Sequence, residues 1–384
     1  MAGETASRKL TPVRIGVNAL FLIPGGVGGT EIYLRSLLAA LASVDTVNEY
    51  FVFANRETGR DLMPVSPRFH FVPCNVLARF RPWRIVYEQV CLPWRLYAHR
   101  IDVVFNPGYT GPLAALCPSV TVFHDLQHRR HPEFFRRHEL PFWKLMLWAA
   151  VRRSRRLIAV SANTASDLDF YFPGSAAKTC VVRHGVDREF FRTEEREPVE
   201  DRYVLTVSTL HPHKNIERLL EAFQVFRESR PSYRLVIIGL RGFAAVTIER
   251  RVREPGIADC VVLTGWIPRT EVHKLFANAD AFVAPSLFEG FGLPLMEALA
   301  SGLPSACSDI AVFRELSGDA AIRFDPGSVP AIAGALERIT GDAEFRARAA
   351  IAGPAQARLF DWNHAATLTL AELARAAGVN PRDR

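Results

Sequence analysis

Short apolar runs alternate with longer amphipathic stretches along most of the chain. The runs at 13–17, 50–54, 69–74, 103–106, 120–123, 157–160 and 179–183 read as strands, and 30–42 has the period of a helix. The stretch 187–201 is charged, contains a proline and has no apolar period, so it reads as a linker. The alternation then restarts. Residues 203–207, 235–238, 260–263 and 281–284 read as strands, and 216–228, 270–277 and 293–301 as the helices between them. Alanine and leucine make 364–377 helical. Strands alternating with helices imply parallel sheets covered on both faces, so the pattern predicts an α/β protein of two domains. In such sheets ligands lie beyond the carboxyl ends of the strands, which directs attention to the residues just after each strand.

Composition narrows the class. At 384 residues the chain is too long for one ordinary core, and with 49% apolar and 23% charged residues it reads as globular. No uncharged apolar run approaches the ~20 residues that span a bilayer. The longest candidate, 140–151, contains Lys144. The polar residues 1–11 lack the apolar core of a signal peptide, which predicts a cytoplasmic protein. Cys74, Cys91, Cys117, Cys180, Cys260 and Cys307 are scattered without a paired spacing, as expected of small buried residues in a reducing compartment. Charge is uneven. Residues 1–192 hold 25 Lys and Arg against 15 Asp and Glu, net +10, whereas the remainder is net −3 within the total of +7. One half is therefore suited to an anionic partner.

The most informative segment is 285–302, PSLFEGFGLPLMEALASG, which follows a strand and opens a helix. Gly290 and Gly292 allow the backbone to approach a ligand closely. The amides at the helix start, with the helix dipole, favour an anion there. Glu289 falls in the loop at the ligand, and Glu297 lies about a turn inside the helix, within reach of a sugar hydroxyl such as a ribose. The segment resembles the E-x7-E signature of glycosyltransferase family 4, a retaining family with the GT-B fold of two Rossmann-like domains facing across a cleft. The resemblance extends over nearly the whole chain. It implies an acceptor-binding domain at 1–186, a nucleotide-sugar-binding domain at 202–362, and a C-terminal helix and tail at 363–384 packing back toward the first. It places Glu289 against the donor sugar, Glu297 on the ribose, and the backbone of Phe291, Gly292 and Leu293 on sugar and diphosphate.

Four further elements fit the same family. In 208–215, STLHPHKN, Lys214 near a helix start matches the family's phosphate-binding lysine, while Thr209 stands where an arginine is commoner. The loop GGVGGTE at 25–31, with Gly28 and Gly29, resembles the glycine loop that closes over the diphosphate. It lacks the last glycine of a dinucleotide fingerprint, which counts against a nicotinamide oxidoreductase, the first alternative. A catalytically silent nucleotide-sugar-binding protein is the second. The block HDLQH…HPEFF begins at His124 and resembles bacterial mannosyltransferases of surface-polysaccharide assembly. The resemblance sets His124 on the donor sugar's primary hydroxyl and leaves Asp125, His128 and His131 for the acceptor side. The GWIPR loop is implied to hold the nucleobase through Trp266 and Ile267, with Arg269 either on the base or on the surface.

Asp167 and Asp169 spell the D-x-D of metal-dependent glycosyltransferases, but they fall in a helix, where residues two apart do not face one site. No metal and no other cofactor is expected. Arg clusters interleaved with Trp83, Trp94, Phe142, Trp143 and Trp148, and with Arg152, Arg153, Arg155 and Arg156, fit an anionic membrane surface better than nucleic acid. The expected protein is a retaining hexosyltransferase at the inner face of the cytoplasmic membrane. GDP-mannose is the expected donor, and a glycan or lipid-linked glycan the acceptor.

Overall fold

The computed structural model describes residues 12–191 and 202–379. Most of the expected linker, 192–201, lies outside the described residues. The first half forms a seven-stranded sheet from β1 (Arg14–Ala19), β2 (Glu49–Ala54), β3 (Phe69–Pro73), β4 (Val103–Asn106), β5 (Ser119–Phe123), β6 (Arg156–Ala159) and β7 (Thr179–Val181). The second half forms a six-stranded sheet from β8 (Tyr203–Val207), β9 (Arg234–Ile238), β10 (Val261–Gly265), β11 (Ala281–Ala284), β12 (Ser305–Ser308) and β13 (Ala321–Phe324). All pairings are parallel, in the orders β3-β2-β1-β4-β5-β6-β7 and β10-β9-β8-β11-β12-β13. Both orders reverse direction beside their first strand, so β1/β4 and β8/β11 are the switch points where such sheets bind ligands.

The expected α/β class and paired Rossmann-like architecture are present. The pattern of apolar runs did not reveal β12, β13 or the helices Val329–Gly341 and Ala343–Ala357. The four residues of β12, SACS, are buried yet carry little apolar signal, because small side chains suffice between two covering layers. The helix Trp362–Ala377, capped by Asp361 through the amide of His364, shares one hydrophobic cluster with Leu34, Leu37 and Leu41 of the helix Gly29–Val44. The chain therefore crosses back to the first sheet, and Arg156 ends in an ion pair with Glu372 of that last helix. Of the cysteines expected to be buried, Cys74, Cys260 and Cys307 are, whereas Cys117 and Cys180 are half-buried and Cys91 is exposed. No helix among the described residues is long and apolar enough to cross a membrane.

Candidate active site

The loops that follow β1, β5, β7, β8, β10 and β11 converge on one cavity of about 570 Å³ between the two sheets. After β8, the turn Pro212–Lys214 leads to Asn215, whose left-handed backbone (φ 59°) caps the helix Ile216–Ser229. The Asn215 amide donates to the carbonyls of Pro285 (3.0 Å) and Pro326 (2.9 Å), which holds this unusual conformation in place. Lys214 is thereby set beside the loop after β11. Its Nζ donates to Glu289 Oε1 at 2.6 Å, and Ser286 Oγ donates to the same oxygen at 2.8 Å.

Gly292, at φ 99°, is the N-cap of the helix Leu293–Ala300, and Gly292 and Leu293 at this helix start both line the cavity. Glu297, on that helix, is buried, and Arg269 Nη2 donates to its Oε1 at 2.6 Å. The same nitrogen donates to Asp187 Oδ2 at 2.8 Å, with the guanidinium over the Phe190 ring. Arg269 is thus neither a free surface group nor uncommitted: it fixes the orientation of Glu297. Burial raises the Glu297 carboxyl, and the Arg269 charge opposes that rise.

From the first domain, Glu31 accepts from the amide of Gly25 (2.8 Å) and from Arg35 Nε (2.9 Å), bracing the glycine loop. Across the mouth, Gly28 faces the Thr209 hydroxyl and Gly25 faces the Trp266 indole. His124, just past β5, is buried, with Nε2 2.8 Å from the Pro107 carbonyl. A carbonyl can only accept, so Nε2 carries the proton and Nδ1 is left as an acceptor. Burial pushes the pKa of His124 down to about 4, so the ring is neutral at physiological pH. Asp125 Oδ1 accepts from the Gln127 amide at 3.1 Å, and burial raises its carboxyl. The two domains touch here: a Cβ on Gly290 would overlap the carbonyl oxygen of His124.

All the residues expected at the donor site line this cavity: His124, Lys214, Glu289, Glu297, Gly28, Gly29, Thr209, Trp266, Ile267, Arg269, Gly290, Phe291, Gly292 and Leu293. Asp125 joins them, but His128 and His131 do not. The short helix Gln127–Arg130 turns His128 onto Phe135 (4.2 Å) and Trp143 (4.8 Å), where burial lowers its pKa to about 4. His131 pairs with Glu133 at 2.9 Å and rests on Phe288. Both stand outside the cavity that the donor-site residues line. Asp167 is buried against Arg130 (3.0 Å), whereas Asp169 accepts from the Ala176 amide, so the two carboxylates serve separate partners. Tyr109, His184 and Asp187 also line the wall, and the sequence reading passed over them. The rule that located His124, a polar group just past a strand end, applies equally to His184 after β7.

The chain resembles known glycosyltransferases in both of its halves. Residues 187–356 match the family described as glycosyl transferases group 1, and residues 27–190 match glycosyltransferase family 4. The chain belongs to the family 4, group 1 glycosyltransferases. It is 28% identical over 287 residues to O-antigen chain mannosyltransferase B of Escherichia coli, covering 72% of this chain and 75% of that one. It is also 28% identical to the O-antigen chain mannosyltransferase RfbU of Salmonella typhimurium, over 68% and 72% of the two chains. Among solved structures, a sucrose-phosphate synthase from Thermosynechococcus elongatus superposes with a TM-score of 0.76 at 18% identity, over 94% of this chain and 98% of that one. That last likeness concerns the fold alone. Membership of this family removes the oxidoreductase alternative for the glycosyltransferase.

Proposed function

We propose that this glycosyltransferase moves mannose from GDP-mannose to a hydroxyl of a lipid-linked glycan, with retention at the anomeric carbon, in cell-surface polysaccharide assembly. The observation that carries this reading is the meeting, in one cleft, of the Lys214–Glu289 pair from the second domain with His124 from the first. In this reading Glu289 and neutral His124 orient the sugar, and Glu297, steadied by Arg269, takes the ribose. Lys214 and the amides of Gly292 and Leu293 stabilise charge developing on the diphosphate. The acceptor oxygen bonds to the anomeric carbon on the face that the phosphate leaves. The bond from that carbon to the phosphate oxygen breaks, its electron pair stays on the phosphate, and the phosphate oxygen takes the acceptor's proton. No step needs a metal. The choice of mannose rests on the O-antigen mannosyltransferase relatives. Incubation with GDP-mannose, GDP-fucose, UDP-glucose or dTDP-rhamnose and a lipid-linked acceptor, with mass spectrometry and NMR of the product, tests it. The expected result is one added hexose from GDP-mannose with its anomeric configuration kept, undiminished in excess EDTA. An inverted product, transfer only from another donor, or EDTA loss restored by manganese would refute the corresponding part.

The acceptor's lipid would be reached by peripheral docking. The helix Arg81–Ala98 supports this: Arg84 and Glu88 are buried on one face with Leu92 and Leu96, while Trp83, Val86, Val90, Trp94 (72% exposed) and Tyr97 are exposed. The neighbouring helix Leu140–Arg153 adds exposed Phe142, Leu145 and Trp148, beside Arg152 and Arg155. Trp143 is not part of this face: it is buried under the Arg81 guanidinium, 4.0 Å away. Arg156 is withdrawn to Glu372. An apolar face rimmed by arginines matches an anionic headgroup layer, at about 1 kcal/mol per basic residue. Changing Arg152 and Arg155 to Glu is therefore expected to release the protein from anionic vesicles at physiological salt without lowering its thermal stability. Arg153 is spared in this test because it holds the Leu113 carbonyl. Equal co-sedimentation of variant and wild type, or equal binding to neutral vesicles, would count against docking.

A further inference from the structure

Each cation in the cleft wall already belongs to a carboxylate. Lys214 sits on Glu289, Arg269 on Glu297 and Asp187, and Arg35 on Glu31. Asp125 adds one more carboxylate to the same wall. A dianionic diphosphate entering this cleft therefore meets positive charge that is already matched, and Thr209 brings none.

Two polar side chains of the wall are buried without a hydrogen-bond partner, the Ser208 hydroxyl and the His184 imidazole, and of these only the imidazole can take up a proton near neutral pH. His184 follows β7 and is buried, and neither Nδ1 nor Nε2 has a hydrogen-bond partner. A neutral imidazole carries one donor and one acceptor, and leaving both unmade in a sealed wall is costly. Its ring packs 4.6 Å from Phe291, 4.7 Å from Tyr33 and 5.6 Å from His124. Phe291 immediately precedes the Gly292 N-cap, so the imidazole stands beside the amide end of the helix Leu293–Ala300, where an anion is favoured.

Resting on the donor-site reading above, we infer that His184 takes up a proton as the donor's diphosphate enters and becomes its second cationic contact, beside Lys214. The proton comes from solvent and returns there when the nucleoside diphosphate leaves. Burial, reinforced by the neighbouring His124, holds the His184 pKa well below the usual histidine range in the empty cleft, so the proton is absent until the anion arrives. Tyr33 from the helix Gly29–Val44 and His124 after β5 pack against it, and Asp125, Asp187 and the Lys214–Glu289 and Arg269–Glu297 pairs line the same cleft. Burial keeps Tyr33 protonated, and His124 is neutral, so neither supplies the charge. Because binding consumes a proton, affinity falls as pH rises between the ring's pKa in the empty cleft and its raised pKa in the occupied one, by up to about tenfold per pH unit.

Calorimetric titration of the full chain with GDP-mannose, UDP-glucose and dTDP-rhamnose, at one near-neutral pH in two buffers of different ionisation enthalpy, tests this. The nucleotide sugar that binds is expected to show uptake of about one proton, and its parent nucleoside none. His184→Gln is expected to abolish the uptake and to weaken the nucleotide sugar about tenfold while leaving the nucleoside unchanged. Binding heats that do not depend on the buffer, or uptake that persists in His184→Gln, would overturn the inference with the donor site intact. Should the variant fail to fold, the wild-type buffer dependence decides. Failure of all three nucleotide sugars to bind would overturn the donor-site reading itself, and this inference with it.

Discussion

Replacing Lys214 or Glu289 by Ala is expected to lower the rate of glycosyl transfer by about 10²-fold or more, a loss of about 3 kcal/mol of transition-state stabilisation. The two side chains share one 2.6 Å contact, and Ser286 donates to the same Glu289 oxygen, so each holds the other where the sugar and diphosphate would lie. Lys214→Ala removes the cation and also frees Glu289 to turn. Glu289→Ala leaves Lys214 without the carboxylate that orients it. Since both variants break the same contact, their effects should not add: the double variant should fall little below the worse single one. Steady-state kinetics on variants whose thermal unfolding matches wild type would show this. Near-normal rates in both single variants would remove the pair from the chemistry.

Gly290→Ala should be nearly as damaging for a different reason. The added methyl group would overlap the backbone carbonyl of His124, and neither partner is a flexible side chain that could move aside. The strain is relieved only if the two domains separate at this point. That would draw His124 and Asp125 away from Glu289 and Lys214, and a displacement of about 1 Å in such a site costs about 10²-fold in rate. The second domain itself is untouched, so nucleotide affinity should change little and thermal stability should be close to wild type. A fall in kcat at nearly constant nucleotide Kd is the expected signature. Wild-type kcat in Gly290→Ala would show that the two domains need not meet as closely as Gly290 and His124 do here.

Part of this protein could be read from its residues in order. The alternation of apolar runs with amphipathic stretches determined two parallel α/β units, because strands buried on both faces are mostly apolar and their crossovers are amphipathic. The spacing of Glu289 and Glu297 around Gly290 and Gly292 marked a strand, a tight loop and a helix start, because those backbone demands are local. Strand β12 escaped because small buried residues leave no hydropathy signal. Pairings between distant segments depended on the tertiary structure. Lys214 and Glu289 are 75 residues apart and meet only because β8 and β11 are neighbours in the sheet. Arg269 joins Glu297 to Asp187 because the chain crosses between domains at the edge of the cleft. The sequence left His128 and His131 for the acceptor side of His124, and the turn after Leu126 sends them to aromatic neighbours outside the cavity. His184 was unremarked in the sequence and became conspicuous only when folding buried it without a partner. Local order in the sequence specifies which elements form. Which side chains share a cleft, and which charges are already matched there, is decided by long-range packing that residue spacing does not encode.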